Sequence, residues 1–404
     1  PAQPNPTGTL LASGPAMHWP RKPVEQVPHR LFRPPHCPWP DCVQHRIRYG
    51  FRCKRFGFYS RKGDGRRVQR FQCATCGGTC SQQTFACSYY AKRPRLLAPV
   101  AAALNAGSAH RQIARTLGSA PSTVTRLAAR LGRHALLLHA RALSRLASLR
   151  EPLAVDHFET FVTCQLDALG LATAVGHDSW FLYAVEPAPH RRGGRRTPAQ
   201  RRLALRRARP PAPRRSVLRS VQRLLEVLLP HLPPGERLQL LTDNHPAYRP
   251  AVARHPAARH IDHHVYPNPP RGPKGAPRSP VARARDAALF PVDQLHALWR
   301  HSCAHHRRET IAFARRINAA VERGYLTAVW RNFVKGRSER RPDRTTPAMR
   351  LGLAKQPWSW PRVLARRLFA TRVGLPQPWQ RIYQREWDED GAVRYSRHRR
   401  SHAA

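Results

Sequence analysis

Acidic side chains are scarce in this chain. Its 404 residues carry 23 Asp and Glu against 71 Lys and Arg, a formal net charge of +48. That imbalance excludes an ordinary metabolic enzyme and calls for a polyanionic partner, for which nucleic acid is the natural candidate. A composition rich in Ala, Arg and Pro, of the kind a GC-rich coding sequence produces, accounts for part of the excess but not all of it. Long apolar runs are also missing. No stretch approaches the ~20 residues needed to cross a bilayer, and no short apolar segment follows a basic start, so neither a membrane anchor nor a secretory leader is expected. The expected location is cytoplasmic, in association with the nucleoid. Cysteine is nearly absent outside one window: seven of the nine lie between Cys37 and Cys87, leaving Cys164 and Cys303. An odd, clustered set argues against a disulfide framework and for metal binding. The chain starts at Pro1 rather than Met, which suggests a trimmed or truncated product.

The length allows two or three independent units. Residues 1–30 carry scattered prolines without periodicity and read as a flexible leader. Over 31–90, short aromatic and basic stretches alternate with cysteines, which predicts strands separated by turns. Over 91–150 the apolar residues recur every three or four positions, which predicts helices. From 151 to 352 the pattern predicts an α/β unit: three strands, LAVDHFETFV, LGLATAVGHD and WFLYAVEP, then a helix, SVLRSVQRLLEVLL, then strands in RLQLLTDNHPAY and HIDHHVYP, and helical patterning from Arg283 to about Val334. An arginine-rich insertion at 190–215 cannot bury a core and is expected to be mobile. The basic tail, 353–404, has no usable pattern.

Cys37 and Cys42 form one knuckle and Cys73 and Cys76 another, separated by the 30 residues from Val43 to Gln72. Four thiolates at these spacings suit tetrahedral Zn²⁺ held between short turns. Cys53, Cys80 and Cys87 are left over, and one of them could replace a member of the first pair. Downstream, Ile113, Ala114, Leu117, Val124 and Leu127 fit two short helices, with Gly118 at the turn and Pro121 in the first turn of the second helix. As a helix-turn-helix, this places Ser122, Thr123, Thr125, Arg126 and Arg130 on the exposed face of a DNA-recognition helix. A plain helical hairpin joining two domains is the alternative.

In so acid-poor a chain, Asp156 within an apolar strand and Asp243 at the end of another stand out, because a carboxylate there is costly unless it is paired or binds metal. An aspartate capping the turn after a strand is the ordinary explanation for either one by itself. Two divalent ions held by shared carboxylates activate a hydroxyl nucleophile in phosphoryl transfer on DNA, and Mg²⁺ (or Mn²⁺) prefers such oxygen ligands. A third acid is expected from a later helix. Asp293 is the first choice, with Arg300 seven positions on and so on the same helical face. Glu309 has the same relation to Arg316 and is the alternative third acid, while Asp286 and Glu159 are weaker rivals. His263, His264, His305 and His306 raise a second metal site, against packed or surface histidines.

The order of parts from about Phe32 to Gly352 resembles the DDE transposases of bacterial insertion sequences, particularly the insertion-sequence-one type. The likeness rests on the cysteine knuckles, RQIARTLGSAPSTVTRLAARLGRH, LTDNHPAY, DQLHALWRH, HHRRETIAFARRINAAVER and WRNFVKGRSER. It implies a zinc ribbon, a helix-turn-helix and an RNase H-like catalytic domain that binds Mg²⁺, cuts the 3′ ends of an element and joins them to target DNA. It further implies double-stranded DNA as partner, in the form of terminal repeats and target, and a homo-oligomer assembled on it. The family's metal ligands fall on Asp156, Asp243 and Asp293, and its helix cation on Arg300. Three departures stand out: an Asp where Glu is commoner at the third acid, a long Pro-rich loop before it, and the arginine insertion before the fourth strand. A DNA-binding regulator or inactive derivative, and an RNase H-like nuclease, are the competing functions.

Overall fold

A computed structural model describes residues 32–61, 65, 67–206, 212–270, 272–273, 275–339 and 342–387. The expected leader, residue 207–211 of the arginine insertion and the tail from 388 lie outside the described residues. The first unit is a three-stranded antiparallel sheet, β1 (Cys53–Ser60), β2 (Arg67–Cys73) and β3 (Thr79–Ser81), in that order. Its apolar core is small: Phe71, Cys80 and Phe85, closed by Phe369 from far down the chain. A unit that buries so little needs a staple.

Three helices follow: α1 (Leu97–Asn105), α2 (His110–Thr116) and α3 (Pro121–Leu143). Gly118, between α2 and α3, takes φ +56°, the left-handed region that glycine enters without a Cβ penalty. Pro121 occupies the first turn of α3, where its missing N–H has no intrahelical partner to lose.

The larger sheet comprises β4 (Leu153–Phe161), β5 (Asp167–Gly176), β6 (Leu182–Arg191), β7 (Leu238–Thr242) and β8 (Ile261–Val265) in the order β6-β5-β4-β7-β8. Strands β4, β5 and β6 form an antiparallel meander, while β7 runs parallel to β4, and β8 to β7. Between β6 and β7 come α4 (Pro198–Arg206), which buries none of its residues, and the amphipathic α5 (Ser216–Leu228), which packs on β5 and β6. The insertion thus contains a helix where mobile chain was expected. A short α6 (Tyr248–Ala253) links β7 to β8.

Helix α7 (Pro280–Ser302) starts with the Ser279 hydroxyl accepting from the Ala282 N–H, and crosses β4, β5 and β7 through the fully buried Leu289, Val292, Leu295 and Trp299. Helical patterning was expected to dominate to about Val334; residues 303–316 separate α7 from α8 (Ile317–Val329), whose end widens into a π-helical turn, Trp330–Val334.

The boundaries expected at 150 and 352 are not breaks in packing. One apolar core runs from Leu96 to Trp387. The second half of α3 lies against α8 so closely that a Cβ on Gly132 would come within 2.5 Å of the Glu322 side chain, so only glycine permits the approach. α9 (Pro347–Arg350) just precedes Gly352, and beyond it come α10 (Trp360–Val363), α11 (Ala370–Val373) and α12 (Gln377–Tyr383). Trp379 of α12 is fully buried, and Arg385 pairs with Glu322 at 2.8 Å. The start of the tail also holds the small sheet in place: Thr371 bonds His45 at 2.8 Å, and Arg372 donates to the His45 and Ile47 carbonyls.

Candidate metal centre, active site and nucleic-acid interface

The Cys37–Cys42 turn and the Cys73–Cys76 turn, the latter where β2 ends, bring four sulfurs within 4.8 Å of one another. Cys37 Sγ lies 3.6 Å from Cys76 Sγ, and Cys42 Sγ 3.8 Å from Cys73 Sγ. Tetrahedral Zn–S bonds of about 2.3 Å require edges of about 3.8 Å, so the cluster is close enough to bind a metal and compatible with zinc. Burial pushes the Cys37 and Cys42 thiols up, while N–H groups of the Cys73–Cys76 turn help bring Cys73 down to about 7 against its own burial. The leftover cysteines stand apart: Cys80 and Cys87 are buried elsewhere, Cys87 against His134 and the Arg366 carbonyl, and Cys53 is half-buried in β1. None of the three replaces a member of the first pair.

The parallel register of β4 and β7 pairs Val155 with Thr242, so Asp156, next in β4, and Asp243, just past the end of β7, lie side by side. Asp293 sits on α7 above them. Their mutual influence is visible in Asp156, whose carboxyl is raised from 3.8 to about 7, first by burial and then by the negative charge of Asp243, with Asp293 adding to it. The His157 N–H (2.7 Å) and Tyr248 hydroxyl (3.1 Å), both donating to Asp156 Oδ1, pull the other way. The carboxylates do not close into a tight cage: among the described residues, the cysteine cluster is the group of three or more candidate ligands whose atoms all lie within 4.8 Å.

Each aspartate has a polar partner. Asp243 accepts from the His245 N–H at 3.0 Å and from Asn268 Nδ2 at 2.8 Å. Asp293 is clasped by Arg285, which also donates to Asn268 Oδ1 at 2.9 Å. Burial works against the Arg285 charge, but Asp293, with Asp156 and Asp286 behind it, raises its pKa above the usual value. Behind Asp156, Thr173 donates to the Asp156 carbonyl at 3.1 Å and lies 2.9 Å from His296 Nε2. With its one proton given to that carbonyl, Thr173 must accept from Nε2–H. Burial and the charges of Arg300 and Arg285 hold His296 near 3, so it is neutral and its bare Nδ1 faces Asp156 Oδ2 at 3.6 Å. That arrangement suits a protonated Asp156 and an incoming cation equally.

Arg300 does share the α7 face of Asp293, but its guanidinium is spent elsewhere: it stacks over Phe158 at 4.2 Å and donates to the His306 and Glu159 carbonyls. The cation that reaches this group of acids is Arg285, through Asp293, and sequence reasoning missed it because nothing distinguishes it among 71 Lys and Arg. Asn268, Tyr248 and His296 were missed too; only the placement of Tyr248 and His296 within the DNHPAY and DQLHALWRH segments hinted at them. Glu309 is exposed in the break after α7, so it shares no helix with Arg316, the residue preceding α8. Glu159, three residues beyond Asp156, falls on the opposite face of β4 and pairs with His190 at 3.1 Å. Asp286 is a half-buried partner of Arg278. His305 and His306 are buried ring against ring at 3.8 Å, whereas His263 bonds Thr242 and His264 is exposed on the next position of β8, so no second metal site forms among the described residues.

At the α2–α3 corner, Ser122, Thr125 and Arg126 are exposed and Thr123 is half-buried. The Thr125 hydroxyl donates to the Pro121 carbonyl and lies 3.0 Å from His110 Nδ1. Arg130 departs from expectation: its guanidinium folds back to the Cys87 and Tyr89 carbonyls and ties α3 to the segment after the small sheet. It is a brace, not part of an exposed face.

No protein-family model matches this chain, and no curated protein matches it. No helix among the described residues is long and apolar enough to cross a membrane.

Proposed function

We propose that the chain is a metal-dependent polynucleotidyl transferase acting on double-stranded DNA. Within that class we read it as a transposase of the insertion-sequence kind, which cuts element ends and joins them to target DNA. The observation that carries the reading is the placement of Asp156 in one strand and Asp243 just past the end of its parallel neighbour, with Asp293 opposite, close enough that both others raise the Asp156 carboxyl. Three half-buried carboxylates, two of which raise the third, fit hard divalent cations such as Mg²⁺ or Mn²⁺. Bound there, such ions supply activation of a hydroxyl nucleophile and stabilisation of the leaving oxygen. The chain's own contribution is to orient the acids: Tyr248 and the His157 N–H fix Asp156, Asn268 fixes Asp243, and Arg285 balances Asp293 until cations arrive. The sheet order, a meander extended by two parallel strands beyond its first strand, supports an RNase H-like fold. The net charge of +48, the four-cysteine unit and the α2–α3 corner support DNA binding.

The test is incubation of the full chain with Mg²⁺ and a plasmid carrying the DNA that flanks its coding sequence. Strand-transfer joints are expected, lost in Asp243→Asn while DNA binding stays. Nicks without joints would point to a nuclease, and cleavage retained by Asp243→Asn would remove that residue from the site.

A further inference from the structure

On the neighbouring face of α7, where Gln294 follows Asp293, lies a cleft of about 480 Å³ counted to its open mouth. Arg331, Lys335, Arg337 and Arg350 line it together with Trp180, and no Asp or Glu among the described residues does, although Asp343 lies near enough to Arg337 and Arg350 to feel their charge. Arg331 forms the floor from the π-helical turn and is only 6% exposed. Its Nε has no partner, and Nη1 and Nη2 reach only Gln294 Oε1, at 3.4 and 3.3 Å. No carboxylate among the described residues pairs with it. Burial lowers its pKa to about 10, so it remains charged at neutral pH. A buried guanidinium without a counter-charge is costly by itself, and pairing with an anion offsets the cost.

Trp180, in the β5–β6 turn, takes φ +63°, a strained conformation for a bulky side chain, and Arg337 stacks over its ring at 4.9 Å. Arg350 is anchored on the Asp178 carbonyl, and Lys335, its side chain 21% exposed, is paired at 3.0 Å with the exposed Glu339. Planar guanidinium groups and an ammonium around one cleft match the tetrahedral oxygens of a phosphate.

We propose that this cleft holds one backbone phosphate of a DNA strand, with Arg331 as its buried counter-charge and Lys335 and Arg337 at the rim. The phosphate chemistry stands on the cleft; that a DNA strand supplies it rests on the function proposed above. The experiment uses the full chain and two probes, inorganic phosphate and a random-sequence DNA duplex. Phosphate should raise the unfolding temperature more than chloride at equal ionic strength, and Arg331→Met should abolish that increment. Without phosphate, Arg331→Met should unfold at or above the wild-type temperature, because it removes an uncompensated charge. Against the duplex, the slope of log affinity on log salt should shrink by about 0.9 in Arg331→Met and in Lys335→Gln, the loss of one phosphate contact. Lys335→Gln, at the rim, carries both arms if Arg331→Met fails to fold. No phosphate-specific stabilisation, or equal stabilisation of the variants, overturns the site. A lost phosphate effect with an unchanged duplex slope overturns the DNA strand and leaves a site for free phosphate. A chain that binds no duplex at all sinks the function proposed above while the phosphate arm is still read.

Discussion

Asp156→Asn should make this protein more stable in alkaline solution. The Asp156 carboxyl is raised from 3.8 to about 7, mostly by burial and by Asp243, and its side chain is only 23% exposed. The sign follows from proton binding: between those two values the folded chain holds a proton that the unfolded chain has released, so stability falls as pH rises through this window and levels off above about 7. The difference amounts to about 4 kcal/mol in full, of which about 3 kcal/mol accrues between about pH 5 and 7. Asparagine keeps the shape, and its Oδ1 still accepts from the His157 N–H and the Tyr248 hydroxyl. In chelator, thermal unfolding of the variant should match or modestly exceed wild type near pH 5 and pull ahead by several degrees near pH 8. Adding Mg²⁺ should then stabilise wild type much more than the variant. A gap that does not widen with pH would refute the claim that charge on Asp156 is held at a cost.

Cys76→Ser should strip the bound metal, read as loss of the thiolate-to-metal absorption of the cobalt-substituted protein; Cys53→Ser and Cys80→Ser should keep it, since both thiols stand outside the cluster. Arg285→Gln removes the cation that competes for Asp293, so calorimetry on the DNA-free chain should show divalent-ion binding tightened by about tenfold, the worth of a charge-assisted hydrogen bond of about 1.5 kcal/mol; unchanged or weaker binding would make Arg285 a support for Asp293 instead. Arg126→Ala, exposed on α3, should weaken duplex binding in an anisotropy assay without moving the unfolding temperature. Arg130→Ala should do the reverse and cost about 1–3 kcal/mol in stability, because it leaves the Cys87 and Tyr89 carbonyls without their donor.

What the sequence determined by itself was local. Runs of β-branched and aromatic residues located β4, β5, β6, β7 and β8 to within a few residues, and apolar periodicity located α5, because strand and helix bury apolar side chains at spacings set by backbone geometry. The cysteine knuckles were legible because a short turn offers its two thiolates to one ion, whatever surrounds them. The acids stood out because a charge within an apolar strand demands a reason. Only the tertiary structure decided which basic groups meet which acids. Arg285 rather than Arg300 faces the aspartates, Arg130 braces instead of reaching outward, and Arg331 is buried without a carboxylate, yet all four look alike along the chain. A long, flexible guanidinium takes its role from the partner within reach at its far end. That partner, in each case here a residue distant in sequence or a neighbouring turn of helix, is fixed by packing and not by spacing.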